Sequence, residues 1–402
     1  MNIKVFNKVV LMLLLPLLTF AQKPAPPSPP PVPERPESKS LQNQIDKVIS
    51  LELNAVNAQI KTLNNIRIVT TTVPRVEIRE RPFEPLAINN AKATAERSKN
   101  ILKEYKVDGN DKLSLENQFG NINVNVWNKH EIKVEIEIKA FERSDEKASE
   151  LLESVTINES KQGNVISLVT RIARDKSDDS WWGTRKSGGN TERRGIQVNY
   201  NVFMPVKNAL DISNKYGNIT LPTLSGAIGI NSSYGNFKGE RLLNASNRIK
   251  VAYGNADVEA LRSSNLDIAY GKLTLQSAED LDASVSYSSA KIGKLSGDGD
   301  LNLRYCGDFK IDEVDKTVKK LNVNAAYSGV TLGFQPASSF NFDVTVSYCG
   351  FNYPEGRVVV VSQSPDENAR GVHFTKNFKG QIGKGSDAWV VVNSRYGSVH
   401  FN

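Results

Sequence analysis

The residues able to do chemistry are few and scattered. The three histidines, His130, His373 and His400, lie far apart, and none stands in the H-x-x-H or H-E-x-x-H spacing that sets two imidazoles on one side of a metal. No G-x-S-x-G elbow occurs, nor a glycine-rich phosphate loop ending in Lys and Ser or Thr. The nearest approach to a carboxylate column is Asp211, Asp267, Asp282, Asn302, Asn322 and Asp343, the arrangement a calcium-dependent polysaccharide lyase would need. Gly229 and Lys250 interrupt it, so scattered surface charge is the better reading. No catalytic residue, metal or cofactor is implied. One polar loop stands out, Asp175–Arg194, because it carries Trp181-Trp182 among glycines and charges. Exposed tryptophans are favoured anchors for a sugar or protein ligand; the competing reading folds them onto the chain's own body.

The elements that would position such a site follow from an internal repeat, the first thing to seek in a chain of this kind. An aromatic followed by a small residue recurs at Phe119, Tyr216, Tyr234, Tyr253, Tyr270, Tyr287, Tyr305, Tyr327, Tyr348 and Tyr396. From 216 to 348 the steps are 18, 19, 17, 17, 18, 22 and 21 residues. Apolar positions keep phase with it. Leu115, Ile212, Ile230, Ile249, Leu266 and Val323 stand four residues before an aromatic; Ile122, Ile219, Phe237, Leu273 and Val330 stand three after. After Tyr305 the phase slips by one, to Phe309 and Ile311, as a bulge would cause. Inward positions therefore run −6, −4, −2, 0, then +3 and +5. The two-residue alternation of a strand breaks once, at the aromatic. One break lets a chain turn a corner and keep its apolar side on the same core, with glycine or the following Asn supplying positive φ. Leu224, Leu261, Leu295 and Val314 offer a third inward side.

Stacked units put like over like, about 4.8 Å apart, and the aromatics become a structural ladder. The expected class is mainly β: a single-stranded β-solenoid of about ten coils. Two interruptions are expected, an α/β cap elaboration at 128–207 and a hairpin insertion at 350–389, each covering an exposed end. Cys306 and Cys349 fall in one column with Ser328 between them. Two coils separate them by about 9–10 Å, beyond the roughly 7 Å that a disulfide spans, so free thiols are favoured over a bridge.

Ahead of the solenoid, residues 1–21 read as a secretory leader. Lys4 and Lys8 precede the apolar run Val9–Leu18, and Thr19-Phe20-Ala21 offers a cleavage site. No cysteine follows to carry a lipid, and no later segment could cross a membrane as a helix. Export to the periplasm or cell surface is expected. Residues 22–38 are a proline-rich spacer. The region 39–107 reads as helical or irregular, with a helix at 39–66 for self-association or for packing on the body, a strand at 75–80 and a second helix at 90–103. The formal charge of +7 falls to about +5 without Lys4 and Lys8. Over 207–402 the 21 Lys and Arg nearly balance the 19 Asp and Glu. A nucleic-acid binder needs a basic stripe, so no nucleic-acid partner is expected.

The segments LENQFGNINVNVW (115–127), VFMPVKNALDISNKYGNITL (202–221) and FKGQIGKGSDAWVVVNSRYGSV (378–399) resemble the adhesin-like β-helix family of exported bacterial proteins. The resemblance covers roughly 100–402 and rests on the repeated Y-G-N corner and the M-P-V strand. It implies a right-handed single-stranded β-helix in the cell envelope. The leader, the solenoid and the missing catalytic constellation together lead to the expectation of a non-enzymatic rod that presents or binds a polysaccharide or protein ligand. The other reading is a carbohydrate-active β-helix enzyme, which would need carboxylates, or Arg and Lys, converging in a groove.

Overall fold

In the computed structural model, residues 95–173, 183–187, 190–366 and 370–402 are described. The leader, the proline-rich spacer, the 39–66 helix, the 75–80 strand and Trp181-Trp182 lie outside them. Among the described residues no helix is long and apolar enough to cross a membrane.

The chain is mainly β, a solenoid whose coils pair in parallel and in register. Each coil contributes one strand before its aromatic and one after it. The first kind stacks as 112–118, 209–215, 228–233, 247–252 and onward, aligning Leu115, Ile212, Ile230, Ile249, Leu266, Ala283, Leu301 and Val323 in one buried file. The second kind aligns Ile219, Phe237, Ala256, Leu273, Ala290, Phe309 and Val330. The slip after Tyr305 is absorbed before Phe309, which pairs with Ala290 as its neighbours do. A third file, Leu242, Leu261, Ala278, Leu295, Val314 and Phe334, closes the core where the chain returns. One coil has no partner for its apolar side; the stack as a whole buries about 1.5–3 kcal/mol of transfer free energy per large aliphatic side chain.

Both ends depart from the parallel stack. At the first end the cap consists of strands Glu131–Glu142, Val155–Gln162, Val165–Ile172 and Asn190–Met204 with the helix Asp145–Glu153, whose cap Ser144 accepts from Lys147 N–H. Strand 190–204 lies parallel to 122–126 and antiparallel to 131–142, so it converts one pairing mode to the other. Over its described part, 95–103, the expected 90–103 helix is not formed. Ala95–Lys106 is instead a strand, antiparallel to Glu131–Glu142 over its whole length. Its Ala, Glu and Lys content favours a helix only weakly, and the free edge of 131–142 overrides that preference by offering a full set of backbone partners. Among the described residues the sheet thus includes 95–106, inside the region read as helical or irregular.

At the other end the coils do not stack in sequence order. Strand Trp389–Arg395 of the final coil inserts between 320–326 and 340–347, pairing in parallel with both. The coil of Tyr348 is thereby pushed one place outward. Beyond it lie the antiparallel strands Val358–Ser364 and Thr375–Ile382, a hairpin within 350–389 whose second strand starts at Thr375. It continues to Ile382 because Phe378 and Ile382 bury on the core side. Cys306 and Cys349 are consequently three coils apart, about 14 Å, and both thiols are free.

Candidate functional site

The corners are the most regular feature of the molecule, and they face outward. Every marker aromatic has positive φ, from 49° at Tyr287 to 62° at Phe119, whereas the glycine after it does not. This corrects two expectations. The left-handed residue is the aromatic, and its ring points away from the core. The nine ladder tyrosines are 44–54% exposed; only Phe119, beneath the cap, is buried. A left-handed residue turns the strand by itself, so the side chain at the bend swings outward although its strand neighbours at −2 and −4 point in. Such a conformation costs a non-glycine residue about 1–2 kcal/mol.

Stacking and backbone pairing offset that cost. Ring centroids are 4.8–5.1 Å apart from Phe119 through the tyrosines, with planes within 15°. The order along the row is 327, 396, 348, following the inserted last coil. Phe374 closes the far end against Tyr348 at 5.0 Å. Each contact contributes about 0.5–1.5 kcal/mol beyond its buried area. Hydrogen bonding continues through the corner as well: Tyr216 N–H donates to Ser233 O at 3.0 Å, Tyr253 to Ala269 at 3.0 Å and Tyr327 to Arg395 at 2.8 Å.

The small residue after the ring is set by crowding. A Cβ on Gly217 would lie 1.9 Å from Gly120 O, and one on Gly235 2.0 Å from Gly217 O. Beside the rings runs a second file of amides: Asn121 Oδ1 accepts from Asn218 N–H, Asn218 from Asn236 and Asn236 from Asn255, each at 2.9 Å. Buried polar groups at −2 support the same corners, Asn214 Nδ2 donating to Gly120 O and Gly217 O at 3.0 Å and Ser232 Oγ to Gly235 O at 3.4 Å. Sequence reasoning missed these groups. The signal was available: a polar residue breaks an otherwise apolar column two places before Tyr-Gly. Phe374 was also missed, since Thr375 after it is not the small partner of the pattern.

The ribbon has a definite chemistry. Ring faces are consumed by neighbouring rings, so what meets solvent is a straight file of ring edges and hydroxyls. No ladder hydroxyl is hydrogen-bonded among the described residues. Ring edges carry the positive part of the aromatic quadrupole, and hydroxyls donate and accept. The row suits an extended, oxygen-rich ligand lying along it. Among the described residues no three His, Cys, Asp or Glu side chains gather as metal ligands.

No protein-family model matches this chain, and no curated protein does. Several solved structures show a distant likeness. One, a "putative adhesin" from Bacteroides fragilis, is 12% identical, with 76% of this chain and 97% of that one covered and a TM-score of 0.32. Another "putative adhesin", from Parabacteroides distasonis, is 9% identical over 76% and 97%, with a TM-score of 0.34. A "putative lipid binding protein" from the same species is 8% identical over 75% and 96%, with a TM-score of 0.30. Likenesses with such low TM-scores establish neither a family nor a ligand.

Proposed function

We propose that this chain is an exported, non-enzymatic, adhesin-like protein of the cell envelope whose solenoid binds or presents an extended surface ligand, polysaccharide or protein, along its tyrosine ribbon. One observation carries the reading: nine tyrosines held half-exposed in a rigid file, each in a strained backbone conformation. Strain of this kind persists where the surrounding structure over-determines it, and it concentrates at sites of function. Tyrosine gives rigid contact area at low entropic cost, and a prebuilt file has little ordering left to lose on binding. Trp181 and Trp182 are proposed as a second contact, and the 39–66 helix as a means of self-association.

The test is an array of envelope polysaccharides and surface proteins probed with the full chain and with Tyr253→Asn/Tyr270→Asn. Asn tolerates positive φ, so the coil survives while two rings are lost. The variant should melt cooperatively and bind at least ~10-fold more weakly, the change set by about 1.4 kcal/mol of lost contact. Unchanged binding to every ligand the wild type captures would remove the ribbon from the binding surface.

A further inference from the structure

Close to the ribbon's far end the outward side of the pre-aromatic strands sinks into a depression of about 420 Å³. Its floor is Ala326. Arg304 stands on one side and Arg395 on the other, each one residue before a ladder tyrosine. They are 91 residues apart in sequence and meet because the last coil inserts next to the coil of Tyr327: register aligns Arg304 with Ala326 and Ala326 with Arg395. One row further from the corner, Asn302, Asn324 and Asn393 align in the same way, and Asn393 Nδ2 donates to Asn324 Oδ1 at 3.3 Å.

Several cations on the coils are paired with acids of the next coil. Lys250 pairs with Asp267 at 3.1 Å, Lys291 with Asp312 at 3.0 Å and Lys294 with Asp315 at 2.6 Å, each across neighbouring coils. Arg304 and Arg395 are exposed and have no acidic partner among the described residues. Two cations kept near each other without an acid between them are a receptor for anions. Guanidinium forks bind carboxylate or sulfate bidentately. Two coil steps, about 9.6 Å, separate their backbones, a spacing at which each guanidinium can meet its own acidic group along one polymer.

We infer that this depression binds an acidic polysaccharide, its acid groups on Arg304 and Arg395 and its hydroxyls on the asparagine row. The inference rests on the ribbon reading and names the ligand class. A polysaccharide fits better than an acidic peptide because these strands are internal to the sheet. Their backbone N–H and C=O groups are already used in pairing, so no edge is open for strand addition. Recognition falls to guanidinium, amide and phenol groups, the chemistry of a polyol that carries acids.

The experiment measures binding of a fluorescent oligogalacturonate to the full chain, with dextran of equal length and oligoglutamate as comparison probes. The variants are Arg304→Gln/Arg395→Gln, Arg304→Lys/Arg395→Lys, Lys99→Gln/Lys106→Gln as an equal loss of charge on the exposed strand 95–106 of the cap, and Tyr253→Asn/Tyr270→Asn. Oligogalacturonate should bind more tightly than either comparison probe. The arginine-to-glutamine variant should weaken it at least 10-fold, with an unchanged melting temperature. The lysine replacements of the arginines should fall between, because they keep charge and lose the fork. The distant lysine variant should bind like wild type. Equal weakening by the two charge-removing variants would reduce the effect to net charge and overturn the site. Equal or tighter binding of oligoglutamate would overturn the ligand class, and absence of oligogalacturonate binding would overturn the inference outright. If dextran binds, needs Tyr253 and Tyr270, and ignores the arginines, the inference fails while the ribbon reading stands. If no probe binds and the tyrosine variant shows no loss on the array either, both fail.

Discussion

The coils of Tyr216 to Tyr270 and those of Tyr287 to Tyr348 make the same corner by different chemistry. In the first group the residue after the ring is glycine, and the next coil's glycine sits so close to the preceding carbonyl that a Cβ would come within 2.0 Å of it. The amide file outside and, at Tyr216 and Tyr234, Asn214 or Ser232 inside hold the turned peptides. In the second group the residue is Ser or Cys, and its own side chain enters beneath the corner. Ser288 Oγ accepts from Gly271 N–H at 3.0 Å and donates to Ser286 O at 2.7 Å. Ser328 Oγ accepts from Cys306 N–H and donates to Ala326 O, both at 2.9 Å. Cys306 Sγ donates to Val285 O, and burial pushes its thiol pKa up. Tyrosine φ stays between 49° and 58° through both groups. The ring conformation is therefore what the repeat preserves, and the small residue is the adjustable part.

That contrast can be broken at several points. The largest effect should come from Gly235→Ala, since its Cβ meets backbone that cannot yield; a loss of about 3 kcal/mol or more is expected, read as a lowered urea midpoint. If the corner tolerates alanine there, crowding does not set the glycine. Next is Ser328→Ala, which strips the buried Cys306 N–H of its acceptor and should cost about 2 kcal/mol, with Ser328→Gly no better because the hydroxyl is what matters. A Ser328→Gly variant as stable as wild type would merge the two kinds of corner into one. Tyr270→Asn removes two ring contacts and eases backbone strain, leaving a net loss of about 1–2 kcal/mol by thermal melting. The smallest effect concerns Asp315. A hydrogen bond from Lys294, with others from Thr317, lowers its pKa from 3.8 to about 2. A depressed folded-state value stabilises above the unfolded one, so this contribution is full above about pH 4 and disappears as pH falls toward 2. Asp315→Asn should flatten that limb of the stability curve and leave the other corners unaffected.

Core positions were legible in the sequence because burial enforces them. Leu115, Ile212 and their equivalents at −4, and Ile122, Ile219 and theirs at +3, must be apolar wherever a coil stacks, so their period survives divergence of everything else. The α/β character of the cap at 128–207 was legible through amphipathic period and alternation. The direction of the ring was not. An aromatic in line with apolar neighbours reads as inward, and only the backbone angle at that residue reveals the opposite. Coil order at the far end was also hidden, because insertion of 389–395 between two earlier coils is a long-range pairing that leaves each local pattern intact. Arg304 and Arg395 are neighbours through that insertion alone, which is why no spacing in the chain announced them. The helix expected at 90–103 misled because a free strand edge is invisible from the segment that fills it.

The central claim is that the tyrosines form an outward file. Nitration of the native protein with tetranitromethane, mapped by peptide mass spectrometry, tests it directly. The chain has 12 tyrosines. The nine of the ladder should be modified, while Tyr200, 1% exposed in the cap, stays untouched until the protein unfolds. Ladder tyrosines protected as fully as Tyr200 would mean that the rings point into the core, and the account would be wrong.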